Sequence, residues 1–281
     1  MKTVDAHQHF WNPARDDYGW LPEGDAILDR SYTPADLESQ LKQVGVDATV
    51  LVQAAPTLEE TEYLLGIADV TPFVAGVVGW IDFEDRTHMA HLRRLARHPK
   101  FLGVRPMIQN IPEDEWMFRS DIQWAFETVA ELDLALDALG FPRHLANFLK
   151  LLKRYPDMRV VLDHCMKPQI RDRESDPGHF RFWADGMSRL AGETRACCKL
   201  SGIITETGGG WDTDVLRPYA AHVLTAFGSD RVMWGSDWPV SRLEAEYEEW
   251  HRVARILTGD LGEAAAKRVF GETAIEFYRL T

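Results

Sequence analysis

The sequence predicts an α/β fold, a (β/α)8 TIM barrel built as a single domain over residues 1–281. Three observations predict it. Eight short apolar runs recur along the chain, segments with helical caps and periodicity separate them, and no glycine-rich dinucleotide fingerprint follows the first run. Buried parallel strands joined by crossover helices produce this alternation. The missing fingerprint weakens the competing doubly wound sheet. A chain that is 45% hydrophobic and 27% charged buries a sizeable core, so disorder is not the default expectation.

Taken in order, the expected strands are residues 3–6, 49–53, 75–80, 103–107, 134–138, 159–162, 196–200 and 231–234. Between the first two, Thr33 can cap a helix whose first position suits Pro34. Leu37, Leu41 and Val44 then form its apolar stripe, and Gly45 ends it. Residues 147–155, with Phe148, Leu151 and Leu152 on one side, form another crossover helix that stops before Pro156. The irregular stretches 11–32, 108–121 and 168–177 are expected to be loops over the barrel mouth rather than domain boundaries.

A net charge of −13 with scattered basic residues argues against a nucleic-acid partner, since binding phosphates needs clustered Lys and Arg. No window of about 18 apolar residues is present, and the N-terminus lacks a basic region followed by an apolar stretch, which argues against membrane spanning and secretion. Three cysteines without repeated spacing suggest neither a disulfide framework nor a cysteine zinc module, so a cytoplasmic location is expected. A homo-oligomer is compatible with all of this.

The chemistry is expected at the carboxyl ends of the strands, where barrels of this type carry their sites. Alternation along the first strand puts His7 and His9 on one face, where two imidazoles can grip a cation or serve only as hydrogen-bonding residues. The sixth run leads directly into Asp163-His164. The eighth leads into Gly235-Ser236-Asp237, where a surface turn would explain the acid equally well if it stood alone. Together, His7, His9, His164 and Asp237 lie at the exits of strands one, six and eight and converge on one end of one barrel.

The segments Asp5-Ala6-His7-Gln8-His9-Phe10-Trp11, Leu162-Asp163-His164-Cys165-Met166-Lys167-Pro168, Cys198-Lys199-Leu200-Ser201-Gly202 and Gly235-Ser236-Asp237-Trp238-Pro239 resemble, in order, those of the amidohydrolase superfamily and its lactone-hydrolysing branch. The closing Phe270-Gly271-Glu272-Thr273-Ala274 looks like that family's C-terminal signature. The resemblance implies a barrel hydrolase in which Asp237 activates water as general base. It also implies a site for one divalent ion, zinc first, held by His7, His9, His164 and Asp237. Some members of the branch work without metal, so the resemblance does not fix occupancy. The fifth run offers no histidine and the fourth no bridging lysine, a departure that makes a two-metal centre an unsuitable expectation.

Around this centre Arg105 suits a carboxylate, a lactone carbonyl or a hydroxyl, unless a nearby acid pairs with it. Lys199, in an otherwise apolar strand, is expected to be a cationic site residue rather than a snorkelling one. Gln53 and Trp80 are candidate lining, Trp11 can stack on a ring, and Tyr18 and Trp20 can form a lid; packing explains each as well. The expected reaction is therefore hydrolysis of a small sugar-acid lactone, with Asp237 deprotonating water and His164, Lys199 or a metal polarising the carbonyl. The alternatives are a metal-dependent decarboxylase of an aromatic or unsaturated acid, with Arg105 as carboxylate clamp, and a noncatalytic ligand-binding barrel.

Overall fold

The computed structural model of the chain describes residues 2–176 and 178–281; residue 177, the last of the third expected loop, lies outside them. All eight expected strands form. They are β1 (Val4–Gln8), β2 (Ala48–Val52), β3 (Val74–Gly79), β4 (Phe101–Val104), β5 (Ala135–Ala138), β6 (Arg159–Leu162), β7 (Cys197–Leu200) and β8 (Val232–Trp234), parallel and paired in chain order. Helices α1 (Pro34–Val44), α2 (Leu58–Val70), α3 (His88–Leu95), α4 (Gln123–Glu131), α5 (Leu145–Arg154), α6 (His179–Glu193), α7 (Thr213–Phe227) and α8 (Tyr247–Leu257) follow the strands. Two short helices, α9 (Gly262–Lys267) and α10 (Thr273–Tyr278), flank a π turn and complete the chain.

Local chemistry accounts for the first crossover as expected. Asp36 in the first turn of α1 accepts hydrogen bonds from the Thr33 backbone N–H at 2.8 Å and hydroxyl at 2.7 Å, and Gly45 ends the helix at φ 74°. Leu37 and Leu41 are buried against the sheet, each worth about 1.5–3 kcal/mol of transfer free energy. The helix expected over 147–155 begins two residues earlier, at Leu145, and ends before Pro156.

β1 and β8 do not form a regular ladder; the chain after β8 closes the barrel instead. The Asp237 N–H donates to the His7 carbonyl at 2.8 Å, and the His9 N–H donates to the Trp238 carbonyl at 2.7 Å. Buried Asp5 ties the seam, accepting from the N–H groups of His7 and Ser236 and from the Tyr247 hydroxyl. Gly235 is needed for this approach, since a Cβ there would lie 2.7 Å from the His7 Cβ. Hence Asp237 and the two first-strand histidines meet because barrel closure runs through them.

The core has two compartments. Apolar faces of the helices pack on the outside of the barrel, and Val4, Val50, Val78, Val161 and Met233 fill the lumen with Ala274 and Tyr278 from α10. Helix α10 therefore plugs the barrel floor, and the opposite end stays open for chemistry. No helix among the described residues is long and apolar enough to cross a membrane.

Candidate active site

Strand ends place the key side chains within bonding range of one another. Around the Oδ1 atom of Asp237 lie the Nε2 atoms of His9 at 3.3 Å, His7 at 3.7 Å and His164 at 3.8 Å. The His7 and His9 Nε2 atoms face each other across 3.2 Å. The outer nitrogens are occupied elsewhere. His9 Nδ1–H donates to the Val52 carbonyl at 2.7 Å, which leaves its Nε2 as a lone pair pointing inward, and His164 Nδ1 meets the Ser201 hydroxyl at 3.0 Å.

This donor set fits a divalent cation. Ligands at 2.0–2.1 Å around a tetrahedral ion lie about 3.3–3.4 Å apart, within the spread of the four separations. Two inward nitrogens 3.2 Å apart also call for a proton or a cation between them. Burial keeps the imidazoles neutral, the form that ligates: it lowers His7 and His9 and takes His164 down to about 4. Burial would raise the Asp237 carboxyl, but the facing His164, His9 and His7 outweigh it and hold the group well below the usual carboxylate range.

Above this cluster opens a cavity of about 140 Å³. Its lining is mixed: His9, Arg105, Gln109, Asn110, His164, Lys167 and Asp237 are polar, and Trp20, Ala54, Met107, Leu139 and Val240 are apolar. Such a mixed lining suits a small ring bearing both hydroxyls and hydrocarbon.

Below it lies a second charged layer. The Lys199 ammonium, fully buried, donates to Asp137 at 2.5 Å and lies 3.0 Å from both Asp163 and His7 Nδ1. Tyr278 caps the layer from α10, its hydroxyl donating to Asp137 at 2.8 Å. Burial and the like charge of its neighbours act against Lys199 in raising Asp137 to about 6, while Asp163 is held low by Lys199 and His7 in spite of burial.

Several expected positions need correction. Lys199 does not face the cavity: β7 carries it at floor level, where Asp137 and Asp163 take its charge, so it cannot polarise a bound carbonyl. Trp11 is buried, donating its indole N–H to the Leu28 and Arg30 carbonyls, and Trp20 packs on it and lines the cavity instead. Gln53 stands behind the wall, donating to the Arg105 carbonyl at 2.8 Å. Trp80 lies in a separate apolar cavity of about 250 Å³ with Phe83 and Trp116. Arg105 does line the site, but its guanidinium already bonds the Gln53 carbonyl and lies 3.5 Å from Asp163. His7 is a cluster member beneath His9 rather than a lining residue.

Sequence reasoning did not single out Asp163, Asp137, Tyr278 or Lys167. The first three could have been flagged as acids and a phenol that a strand lysine needs as partners. Lys167 offered little signal, because its placement depends on a left-handed turn that contains no glycine.

A parallel barrel that gathers three imidazoles and a carboxylate from the exits of its first, sixth and eighth strands carries them at the end where enzymes of this architecture hold their active sites. The chain matches the Amidohydrolase family over residues 4–280, and it belongs to that family. It is 43% identical to an L-fucono-1,5-lactonase of Burkholderia ambifaria, across 99% of this chain and 95% of that protein. It is 31% identical to an L-fucono-1,5-lactonase of Burkholderia multivorans, across 99% of this chain and 96% of that protein. A crystal structure of a Burkholderia multivorans amidohydrolase with bound zinc superposes over the whole of both chains with a TM-score of 0.92 at 30% identity.

Proposed function

We propose that this protein hydrolyses a sugar-acid lactone, opening the ring ester to the free hydroxy acid. The observation that carries the reading is the ionised Asp237 carboxylate, set among three imidazoles in the lining of a small cavity of mixed polar and apolar character. The L-fucono-1,5-lactonases to which the chain is similar over nearly its whole length support a deoxysugar lactone as substrate.

In this mechanism Asp237, which lines the cavity from a left-handed backbone position (φ 57°), takes a proton from the attacking water. Water oxygen bonds to the carbonyl carbon, the ring C–O bond breaks, and the proton on Asp237 passes to the departing ring oxygen. No covalent enzyme intermediate is needed. His7, His9 and Asp237, with His164 3.8 Å from the Asp237 carboxylate, would hold a divalent ion, for which zinc is the leading choice, and when bound it supplies Lewis-acid polarisation and a more acidic water. Arg105, braced by Gln53 and Asp163, is part of the polar lining against which the ring hydroxyls orient. That bracing also disfavours the decarboxylase alternative, whose carboxylate clamp would have been Arg105.

The test is a panel of aldonolactones assayed by acid release, with protein before and after chelation. We expect one acid equivalent per lactone, a loss of rate on chelation and recovery with added zinc. No acid release from any lactone would overturn the reading, and full turnover by metal-free protein would remove the ion from it.

A further inference from the structure

The turn leaving β6 holds four successive non-glycine residues in the left-handed region: His164 (φ 52°), Cys165 (φ 52°), Met166 (φ 58°) and Lys167 (φ 48°). Each such residue costs about 1–2 kcal/mol, so the turn persists only because its surroundings impose it. The Trp183 indole N–H donates to the Cys165 carbonyl at 2.7 Å, and the Cys165 thiol donates to the Lys199 carbonyl at 3.3 Å. Gly202 leaves room for the turn, since a Cβ there would come within 2.5 Å of His164 Nδ1. The result is that His164 and Lys167, three residues apart, both line the cavity.

Charge pairing sets Lys167 apart from the other cations of the site. Arg105 is engaged by the Gln53 carbonyl and Asp163, and Lys199 by Asp137 and Asp163. The Lys167 ammonium has no hydrogen bond or ion pair among the described residues; it lies 5.6 Å from the centre of the Phe141 ring. Burial lowers its affinity for the proton, with Glu206 and Asp237 acting the other way. Lys167 is partly exposed where it lines the cavity, and with no hydrogen bond or ion pair among the described residues its N–H donors are available to a group that enters there.

Resting on the lactone-hydrolase reading above, we propose that Lys167 is a substrate-contacting residue that binds the ester carboxyl group as it becomes a carboxylate. Lys167 moves no proton in this scheme. Water adds to the carbonyl carbon, Asp237 carries the proton from water to the ring oxygen, and the product acid releases its own proton to solvent. The ammonium donates charge-assisted hydrogen bonds to a carboxyl oxygen, and these strengthen as negative charge grows there. The open-chain aldonate is then a competitive inhibitor held by the same contact.

The experiment compares wild type, Lys167→Met and Lys167→Arg on the lactone that wild type opens fastest, with the corresponding aldonate as inhibitor. In Lys167→Met, kcat/KM is expected to fall about 10- to 100-fold and the aldonate inhibition constant to rise at least about tenfold, with part of both restored in Lys167→Arg. A merely structural role would lower the melting temperature and leave the inhibition constant unmoved. Should Lys167→Met melt early, Lys167→Gln gives the same comparison with a polar end and no charge. An aldonate inhibition constant within twofold of wild type in a folded, uncharged variant overturns the assignment and leaves lactone hydrolysis standing. A wild type that opens no lactone and binds no aldonate overturns both.

Discussion

The upper and lower layers of the barrel lumen both bury charge, yet they satisfy it by different means. In the lower layer Lys199 meets Asp137 and Asp163, and Tyr278 completes Asp137, so protein groups answer one another. In the upper layer His7, His9 and His164 crowd around the Asp237 carboxylate, and Lys167 lines the cavity with no hydrogen bond or ion pair among the described residues. Asp163 links the two, lying 3.0 Å from Lys199 and 3.5 Å from Arg105, although neither of its oxygens has a well-aligned hydrogen bond. The difference teaches that the lower layer holds the fold and aims the upper one, whose unfilled valences are available to ion and substrate.

The largest expected effect breaks the upper layer. Asp237→Asn removes the base while keeping a side chain that tolerates the left-handed backbone, so lactone hydrolysis should fall by about 10³-fold with thermal stability little changed. Initial rates and a melting curve decide it, and near-normal turnover would exclude Asp237 as the base.

Next comes the lower layer, where the readout should be stability rather than rate. Lys199→Met strands two carboxylates in the lumen and should cost about 3–5 kcal/mol in a denaturant titration. Adding Asp137→Asn should recover at least half of that loss, because only one carboxylate then lacks its cation. A single variant as stable as wild type would mean that the lower layer is not held by this pairing.

The smallest effect separates the layers by pH. Burial holds His164 near 4, against 6.5 in the unfolded chain, so the unfolded state takes up the proton first. Stability from this group is complete above pH 6.5 and is lost as pH falls toward 4, about 3 kcal/mol at most. His251, also brought to about 4 by burial and Arg255, lies outside both layers against Trp234 and Phe270. Comparing melts of wild type, His251→Gln and His164→Gln between pH 7 and 4 separates the shares of the two histidines. A slope in His164→Gln equal to that of wild type would assign none of it to His164.

Much of this architecture was legible in the sequence, for local reasons. Strand runs and the capped helix after Thr33 follow from side-chain period and end chemistry, and all eight strands lie within about three residues of expectation. The exits of strands one, six and eight were legible for the same reason, since a polar residue closing a buried run marks the strand's end. Lys199 shows the limit. Its residue type announced a buried charge, but its height in the lumen depends on how neighbouring strands are staggered, which no local pattern records. Trp20 rather than Trp11 lines the cavity because a long loop decides which indole turns inward, and a loop has no period to read.

By itself, then, the sequence determined the barrel, its family and the four residues of the central cluster, because each is written in neighbouring side chains. Only the tertiary structure decided that Lys199 serves the floor, that Arg105 is already engaged and that Lys167 lines the cavity with no ion pair among the described residues. Strand stagger, barrel closure through Gly235 and a left-handed turn imposed by packing set those outcomes, and all three are properties of distant segments brought together.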